Sequence, residues 1–315
     1  MTYHILHITT PNVSLYTDKG FFCCKFDDES ENRLPIDDIR AIIIATHQVT
    51  FTNSCLAKLL ENNIVILHCN NSYKPIGWSI SFDRVVRTKA FYNQIAQNNE
   101  FENKLWKTIL KSKVTNQANN LQLIGANAEN IFNLINKPLI SEANIAKQYW
   151  NIYFATLGNK QKREHKNAEN FENICLNYGY AVFQSLLYRS IIIHGLIPNL
   201  GIHHEEKYNS APLVYDLIEP FRAFIDFYLY KFKINEGESF KREDLKAWNK
   251  YLAFCMKNYR LNAKGLSYKI IDFIDIYIEE IVNSFIKFDI TKLILPNISA
   301  QYLHIDKHRN REHEE

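Results

Sequence analysis

The spacing of apolar residues changes once along this chain, and that change constrains the fold more than any other feature. Before residue 79, apolar residues form short runs rich in β-branched and aromatic side chains, which are typical of strands. From Phe82 onward, they recur at helical spacing. Only 9 Gly and 8 Pro occur in 315 residues, so those helices can be long. We therefore predict an α+β protein whose strands precede its helices.

The strand-rich part covers residues 1–84. The runs that predict strands are Tyr3–Ile8, Val13–Tyr16, Phe21–Phe26, Ala41–Ala45 and Ile64–Cys69. One helix is predicted at Ser54–Asn62, where leucines fall on a helical stripe behind Ser54, a residue type that suits an N-cap. This pattern predicts a small sandwich or an open sheet.

The part covering residues 85–315 predicts a larger, all-helical domain, joined to the first by a linker near residues 79–88. The predicted helices are Phe101–Lys113, Gln117–Leu134, Ser141–Thr156, Ala168–His194, Val214–Lys233, Arg242–Tyr259 and Tyr268–Phe285.

Composition excludes several classes of protein. The six cysteines form no CxxC pair, which argues against zinc ribbons and redox motifs and favours reduced, mostly buried thiols in a cytoplasmic protein. No run of about 18 apolar residues occurs, and the first residues lack a signal-peptide pattern, so we expect no membrane partner. P-loop, GxGxxG, GxSxG and HExxH motifs are absent.

The formal net charge of +3 is distributed unevenly. Residues 85–204 contain 13 basic and 7 acidic residues, a net charge of +6, whereas the segments before and after carry −2 and −1. A polyanion would therefore be held by the middle third of the chain.

The irregular stretch Gly195–Pro220 concentrates residues that could bind a metal ion. It contains His203 and His204, followed by Asp216 and Glu219, which would share one face of a helix. The two carboxylates could converge on one ion. Alternatively, they are surface charges, with Glu219 pairing with Arg222 one turn later.

Glu142 is a second unusual carboxylate. It precedes Ala146, Tyr149 and Tyr153 on one apolar helix face, so it would be at least half buried and would need a cation or hydrogen-bond donors. Alternatively, it begins a helix that Ser141 caps, and it favours the positive end of the helix dipole.

Taken together, three segments resemble the CRISPR-associated protein one family, the spacer-acquisition integrase, in its type II form. They are SEANIAKQYW around Glu142, then NYGYAVFQSLLYRS, then GLIPNLGIHHEEKYNSAPLVYDLIEPFRAFID. The segment LPIDDIRAIIIATHQVTFTNSCLAKLLENNIVILHCN extends the resemblance into the N-terminal part.

The resemblance implies a metal-binding triad of Glu142, His204 and Glu219, with Asp216 as a supporting acidic residue and His203 as a further histidine outside the triad. Two carboxylates and one imidazole suit Mg²⁺ or Mn²⁺. It also implies a metal-dependent DNA endonuclease and integrase, a homodimer formed through the N-terminal domain, double-stranded protospacer and repeat DNA as substrates, and a second CRISPR adaptation protein as partner.

Basic residues near the catalytic helix are candidates for binding DNA phosphates. They are Lys160, Lys162, Arg163 and Lys166 after that helix, and Arg84 and Arg87 near the linker. Two other functions stay open: a non-catalytic DNA-binding scaffold of the adaptation complex, and a general nuclease for branched DNA.

Overall fold

The fold is known from a computed structural model of the chain. The residues it describes are 4–70, 75–81, 88–96, 98–135, 142–158, 161–165, 168–204, 211–234, 245–299, 301 and 303–305.

The N-terminal region contains two four-stranded sheets, and the five apolar runs predict five of the eight strands. Its strands are β1 (His4–Ile8), β2 (Val13–Asp18), β3 (Phe21–Lys25), β4 (Glu31–Pro35), β5 (Ile39–Ile44), β6 (Val49–Phe51), β7 (Val65–Cys69) and β8 (Pro75–Ser79), with helix α1 (Asn53–Glu61) between β6 and β7. The first sheet has the order β1-β5-β7-β8, parallel except for β8, and the second has the order β4-β3-β2-β6. The predicted N-cap of α1 is wrong, because Thr52 rather than Ser54 accepts the hydrogen bond from the Cys55 backbone N–H.

The first sheet is buried on both faces, because alternate residues of a strand point to opposite sides. One face presents Ile42 and Ile44 of β5 to a core shared with the second sheet. The other face presents Ala41 and Ile43 to the main core of the helical region. The uninterrupted apolar run in β5 therefore serves two cores at once.

The C-terminal region is mostly helical. Its helices are α2 (Thr88–Ile95), α3 (Asn99–Leu123), α4 (Glu129–Ile135), α5 (Glu142–Thr156), α6 (Phe171–Ile193), α7 (Pro212–Leu217), α8 (Arg222–Ile234), α9 (Leu245–Asn258) and α10 (Ile270–Lys287). The predicted helices Phe101–Lys113 and Gln117–Leu134 are wrong in their division: α3 is continuous, and α4 begins after Gly125. The predicted helix Val214–Lys233 is interrupted by a 3₁₀ turn at Glu219–Phe221, which contains Pro220.

The prediction that this region is all helical needs a correction. Strands β9 (Tyr259–Ala263), β10 (Leu266–Lys269) and β11 (Leu303–Ile305) form a small antiparallel sheet. Lys264 and Gly265 both have positive φ, as a two-residue hairpin turn with primed geometry requires.

Helix α6 lies at the centre of the molecule and is buried around most of its circumference. At Gly179, an added Cβ would lie 2.5 Å from Ile225 Cγ2, so glycine allows α6 and α8 to approach closely. Tyr178 of α6 shares a 3.0 Å hydrogen bond with His7 of β1, which ties the helix to the first sheet.

In the part of the chain that the structure describes, no helix combines the length and apolar character that crossing a membrane requires. All six cysteines are free thiols, and all except Cys69 are buried.

Candidate metal and nucleic-acid site

Two of the predicted ligands meet at a lysine. Lys113, on α3, has its Nζ 2.6 Å from Glu142 Oε1 and 2.6 Å from Glu219 Oε2. Glu142 is the first residue of α5, and Glu219 begins the 3₁₀ turn between α7 and α8. Three separate segments thus bring two carboxylates to one cationic nitrogen.

Glu219 is a buried carboxylate with two cationic neighbours. Its side chain is only 6% exposed, and Oε1 accepts a 2.9 Å hydrogen bond from Arg222 Nε. Burial alone would raise the pKa of Glu219, but the charges of Arg222 and Lys113 outweigh it and hold the pKa below its ordinary value. The pairing of Glu219 with Arg222 is therefore present, but the interpretation of these residues as surface charges is wrong.

The turn that carries Glu219 is fixed from α3. The Asn116 side chain donates hydrogen bonds to the carbonyl oxygens of Pro220, at 2.7 Å, and Pro296, at 2.8 Å. Asn116 lies three residues after Lys113, so it faces the same side of the helix. One turn of α3 therefore positions both the lysine and the backbone beside Glu219.

Glu142 lies at the solvent edge of the site. Its side chain is 43% exposed, and Lys113 donates a hydrogen bond to it. Tyr149 and Tyr153 follow on the buried side of α5, as the helical spacing predicts. Ser141, the predicted cap, lies outside the described residues.

Asp216 organises the loop that carries His204. The Asp216 carboxylate is fully buried, and its Oδ2 accepts backbone N–H bonds from Ile202 at 2.6 Å and His203 at 3.0 Å. Its Oδ1 lies 2.5 Å from His204 Nδ1. At Gly201, an added Cβ would lie 2.4 Å from the His204 carbonyl oxygen and 3.0 Å from Asp216 Oδ2. Only glycine allows this loop to wrap so tightly around the carboxylate.

The hydrogen bond that the Asp216 carboxylate accepts from His204 Nδ1 raises the pKa of His204 above its ordinary value, although partial burial opposes the rise. The charges of Glu219 and Glu142 also raise this pKa, so all three predicted ligands share one electrostatic environment. Because Nδ1 is held by Asp216, the other ring nitrogen, Nε2, is left for a ligand. A carboxylate behind an imidazole is the usual arrangement for a metal-binding histidine.

His203 packs against Trp106 of α3. The two rings are stacked, with centroids 4.4 Å apart and planes 9° apart. Trp106 also contacts His204 edge-on at 5.8 Å. The side chains of the two adjacent histidines thus point in different directions: the His204 ring contacts Asp216, whereas the His203 ring stacks on Trp106.

The oxygen and nitrogen atoms of Glu142, Glu219 and His204 are of the types that bind a divalent cation. Their positions match a metal site only in part. Glu142 and Glu219 already approach a common cation, the ammonium of Lys113, through carboxylate oxygens, which are the ligands that Mg²⁺ and Mn²⁺ prefer. Within the same part of the chain, however, no three His, Cys, Asp or Glu side chains form a ready-made metal cluster. The ammonium of Lys113 lies where the two carboxylates converge.

Comparison with known proteins decides the family. The family model described as "CRISPR associated protein Cas1" matches residues 6–246. The chain belongs to this family.

Two curated Cas1 relatives show the extent of the similarity. The CRISPR-associated endonuclease Cas1 of Neisseria meningitidis is 29% identical over 198 residues, which are 61% of this chain and 64% of that protein. A second Cas1 endonuclease, from Saccharolobus solfataricus, is 26% identical over 225 residues, which are 69% of this chain and 71% of that protein. The chain thus spans slightly less than two thirds of the Neisseria relative.

Solved structures share the fold. A casposase bound to its integration product has a TM-score of 0.78 at 16% identity, covering 93% of this chain and 92% of that one. A Cas1 protein from Thermotoga maritima has a TM-score of 0.75 at 14% identity, covering 90% and 97%. The α+β fold class predicted from the sequence is therefore confirmed.

The residues predicted to bind DNA in this Cas1 family member differ in exposure to solvent. Lys162 is exposed. Arg163 turns inward, where its guanidinium donates to Asn173 at 3.0 Å and Asn177 at 2.6 Å and lies over the rings of Trp150 and Tyr180. Lys160, Lys166, Arg84 and Arg87 lie outside the described residues.

Sequence reasoning missed a further buried carboxylate behind this site. Asp226 of α8 is fully buried and accepts hydrogen bonds from the hydroxyl groups of Tyr149 and Tyr180, both at 2.5 Å. Arg222 lies over the Tyr180 ring at 4.9 Å, which connects this network to Glu219. An aspartate in the apolar segment FRAFIDFYLY is the signal that could have revealed it.

Proposed function

We propose that this chain is a metal-dependent DNA endonuclease and integrase of CRISPR adaptation, with Glu142, His204 and Glu219 as ligands of Mg²⁺ or Mn²⁺. The observation that carries the proposal is the convergence of Glu142 and Glu219 on one cationic position beside the His204–Asp216 pair. Membership of the Cas1 family, whose curated relatives are named endonucleases, supports the same activity.

The protein residues divide the work of holding the ion. Glu142 and Glu219 supply oxygen ligands, and His204 supplies Nε2 while Asp216 fixes the orientation of its ring. Arg222 keeps Glu219 ionised and therefore able to bind a cation. The bound ion would supply Lewis-acid stabilisation of charge on a phosphodiester.

In spacer insertion, the 3′-hydroxyl of the incoming DNA attacks a phosphodiester at the repeat border. One phosphorus–oxygen bond forms and one breaks, and the proton of the attacking hydroxyl ends on the released 3′-oxygen of the repeat strand. With water as the attacking group, the same site hydrolyses DNA. Neither reaction requires a covalent protein–DNA intermediate.

DNA is held through its phosphates, chiefly by the middle third of the chain with its net charge of +6. Among the described residues, exposed Lys162 fits this role. The sequence alone proposes the same role for Lys160, Lys166, Arg84 and Arg87. The inward position of Arg163 gives it a supporting role, since it braces the loop that follows α5.

A second adaptation protein and a second copy of this chain complete the proposed complex. One structural neighbour is a Cas6-RT-Cas1–Cas2 complex, with a TM-score of 0.73 at 16% identity, and it covers 93% of this chain and 36% of that one. The Cas1–Cas2 pairing named there is the assembly proposed here.

The test is an integration assay with 3′-hydroxyl donor DNA, a repeat-containing plasmid and the second adaptation protein. We expect Mn²⁺ to support joining and EDTA to abolish it. His204→Ala and Glu219→Ala should remove joining, while Glu129→Ala, an exposed residue of α4, should retain it.

Full joining by His204→Ala or Glu219→Ala would overturn the assignment of those residues. DNA binding without joining under any metal would identify a non-catalytic scaffold. Cleavage of branched DNA that needs neither a repeat nor the second protein would identify a general nuclease.

A further inference from the structure

Lys113 is unusual because its charged group is inside the protein. Its side chain is 11% exposed, and its ammonium is in contact with two carboxylates at 2.6 Å each. A lysine is rarely buried to this extent unless it is paired, because removing its charge from water is costly. In the sequence, Lys113 does not stand out, because it is one of four basic residues in the helical segment KLWKTILKSK.

The position of this ammonium is the position that a shared metal ion would need. Both carboxylate oxygens lie 2.6 Å from one nitrogen, so they are separated by no more than twice that distance. Oxygens this close could share a single cation. Lys113 and a divalent ion would therefore compete for the same pair of ligands.

The charges make the competition unequal at the two carboxylates. Glu219 retains a second cation, Arg222, whichever group occupies the shared position. Glu142 has Lys113 as its ion-pair partner among the described residues, and its side chain is 43% exposed. The lysine can therefore leave toward solvent past Glu142, the open side of the site.

We propose that Lys113 is an internal counter-ion that holds Glu142 and Glu219 together and is displaced when a divalent ion binds. The proposal rests on the metal site proposed above. It makes Lys113 a positioning residue, which sets the spacing of the ligands and lowers the apparent affinity for the ion. Because the lysine and the ion compete, any change that moves the Lys113 ammonium out of the site increases the affinity for the metal ion.

The test is a calorimetric titration of Mn²⁺ into the full-length protein after treatment with EDTA and dialysis. Wild type is compared with Lys113→Met, which keeps the length of the side chain without its charge. We expect Lys113→Met to bind Mn²⁺ roughly tenfold more tightly or better, a coupling of ordinary size between competing ligands. The matched control is Lys111→Met, an exposed lysine of the same helix, which should bind as wild type does.

Thermal unfolding provides the second measurement. In EDTA, Lys113→Met should have a lower Tm than wild type, because two neighbouring carboxylates lose their shared cation. Added Mn²⁺ should raise the Tm of Lys113→Met by more than it raises that of wild type. Equal or weaker Mn²⁺ binding by Lys113→Met, or an unchanged Tm in EDTA, would overturn the proposal.

Lys113→Arg keeps the positive charge and serves if Lys113→Met does not fold. It should retain Mn²⁺ binding near that of wild type, and a large gain in affinity would contradict the counter-ion role. Glu219→Gln in the same titration separates this inference from the proposed function. Mn²⁺ binding that survives Glu219→Gln unchanged would refute the metal site itself and both proposals with it.

Discussion

Glu219 and Asp226 are two buried carboxylates seven residues apart, and the protein treats them in opposite ways. Glu219 faces the cationic groups of Arg222 and Lys113, which hold its pKa below the ordinary value against the effect of burial. Asp226 faces the neutral hydroxyl groups of Tyr149 and Tyr180, and burial raises its pKa to about 6 despite those bonds. The charges of Arg163 and Arg222 also lower the pKa of Asp226, but burial outweighs them. Similar burial therefore gives opposite shifts, because Glu219 is paired with cations and Asp226 is hydrogen-bonded to neutral hydroxyl groups.

The opposite pKa shifts of Glu219 and Asp226 indicate different roles for the two carboxylates. A carboxylate that Arg222 keeps ionised can exchange its other cationic partner for a metal ion, as a metal ligand must. A carboxylate enclosed by tyrosine hydroxyls, in contact with two helices, connects α5, α6 and α8. We interpret Glu219 as part of the proposed metal site and Asp226 as a structural residue that holds the helices behind it together.

The largest expected effect comes from neutralising each carboxylate in turn. Glu219→Gln should lower Mn²⁺ affinity and the rate of strand joining by at least roughly a hundredfold, the upper end of the losses seen when only a supporting partner of a metal ligand is removed. Asp226→Asn should keep Mn²⁺ binding near that of wild type. Calorimetry and the joining assay measure both. Equal losses in the two variants would remove the distinction drawn here.

The next effect concerns stability and pH. The folded pKa of Asp226 is raised from 3.8 to about 6, so the folded state binds this proton more tightly than the unfolded state does. That stabilisation is complete below the unfolded pKa and is lost as pH rises through the folded pKa. The shift corresponds to on the order of 3 kcal/mol. Wild type should therefore lose free energy of unfolding, relative to Asp226→Asn, between about pH 4 and pH 6.

Urea unfolding of both proteins across this range provides the measurement. The difference between the two curves cancels the titration of all other groups to a first approximation. A difference that stays constant with pH would show that Asp226 is ionised throughout, like Glu219.

The smallest effect is expected from Tyr180→Phe. This change removes one of the two hydroxyl donors to Asp226 but keeps the ring that contacts Arg222 and Arg163. We expect a loss of about 1–2 kcal/mol in the free energy of unfolding, and a higher midpoint for the pH transition. Tyr92→Phe, at an exposed position of α2, should change neither. A lower midpoint in Tyr180→Phe would contradict the role given to this hydroxyl.

Sequence patterns predict most elements whose apolar residues follow one simple rule. The runs rich in β-branched or aromatic residues predict β1, β2, β3, β5 and β7, because both faces, or alternate residues, of these strands are buried. The hairpin of β9 and β10 was not predicted from the sequence. Its turn, Lys264-Gly265, repeats the dipeptide Lys19-Gly20 that joins β2 to β3, but it lies between helical segments, and the sequence pattern there predicts helix on both sides.

Within the site, the sequence pattern places Glu142, His204, Asp216 and Glu219 among the candidates, and the resemblance to the family assigns their roles. It could not reveal Lys113 or Asn116, because their partners come from distant segments. A lysine and an asparagine on a helix normally indicate a solvated face. Only the packing of α3 against the turn at Glu219 buries them.

The two-sided burial of β5 determines what would follow from a cut in the backbone between β8 and α2. One fragment would expose the face that carries Ala41 and Ile43, and the other would expose the side of α6 that contacts the first sheet. The two pieces would be complementary halves of one interior. The chain is therefore suited to reassembly from paired fragments rather than to independent use of its two regions.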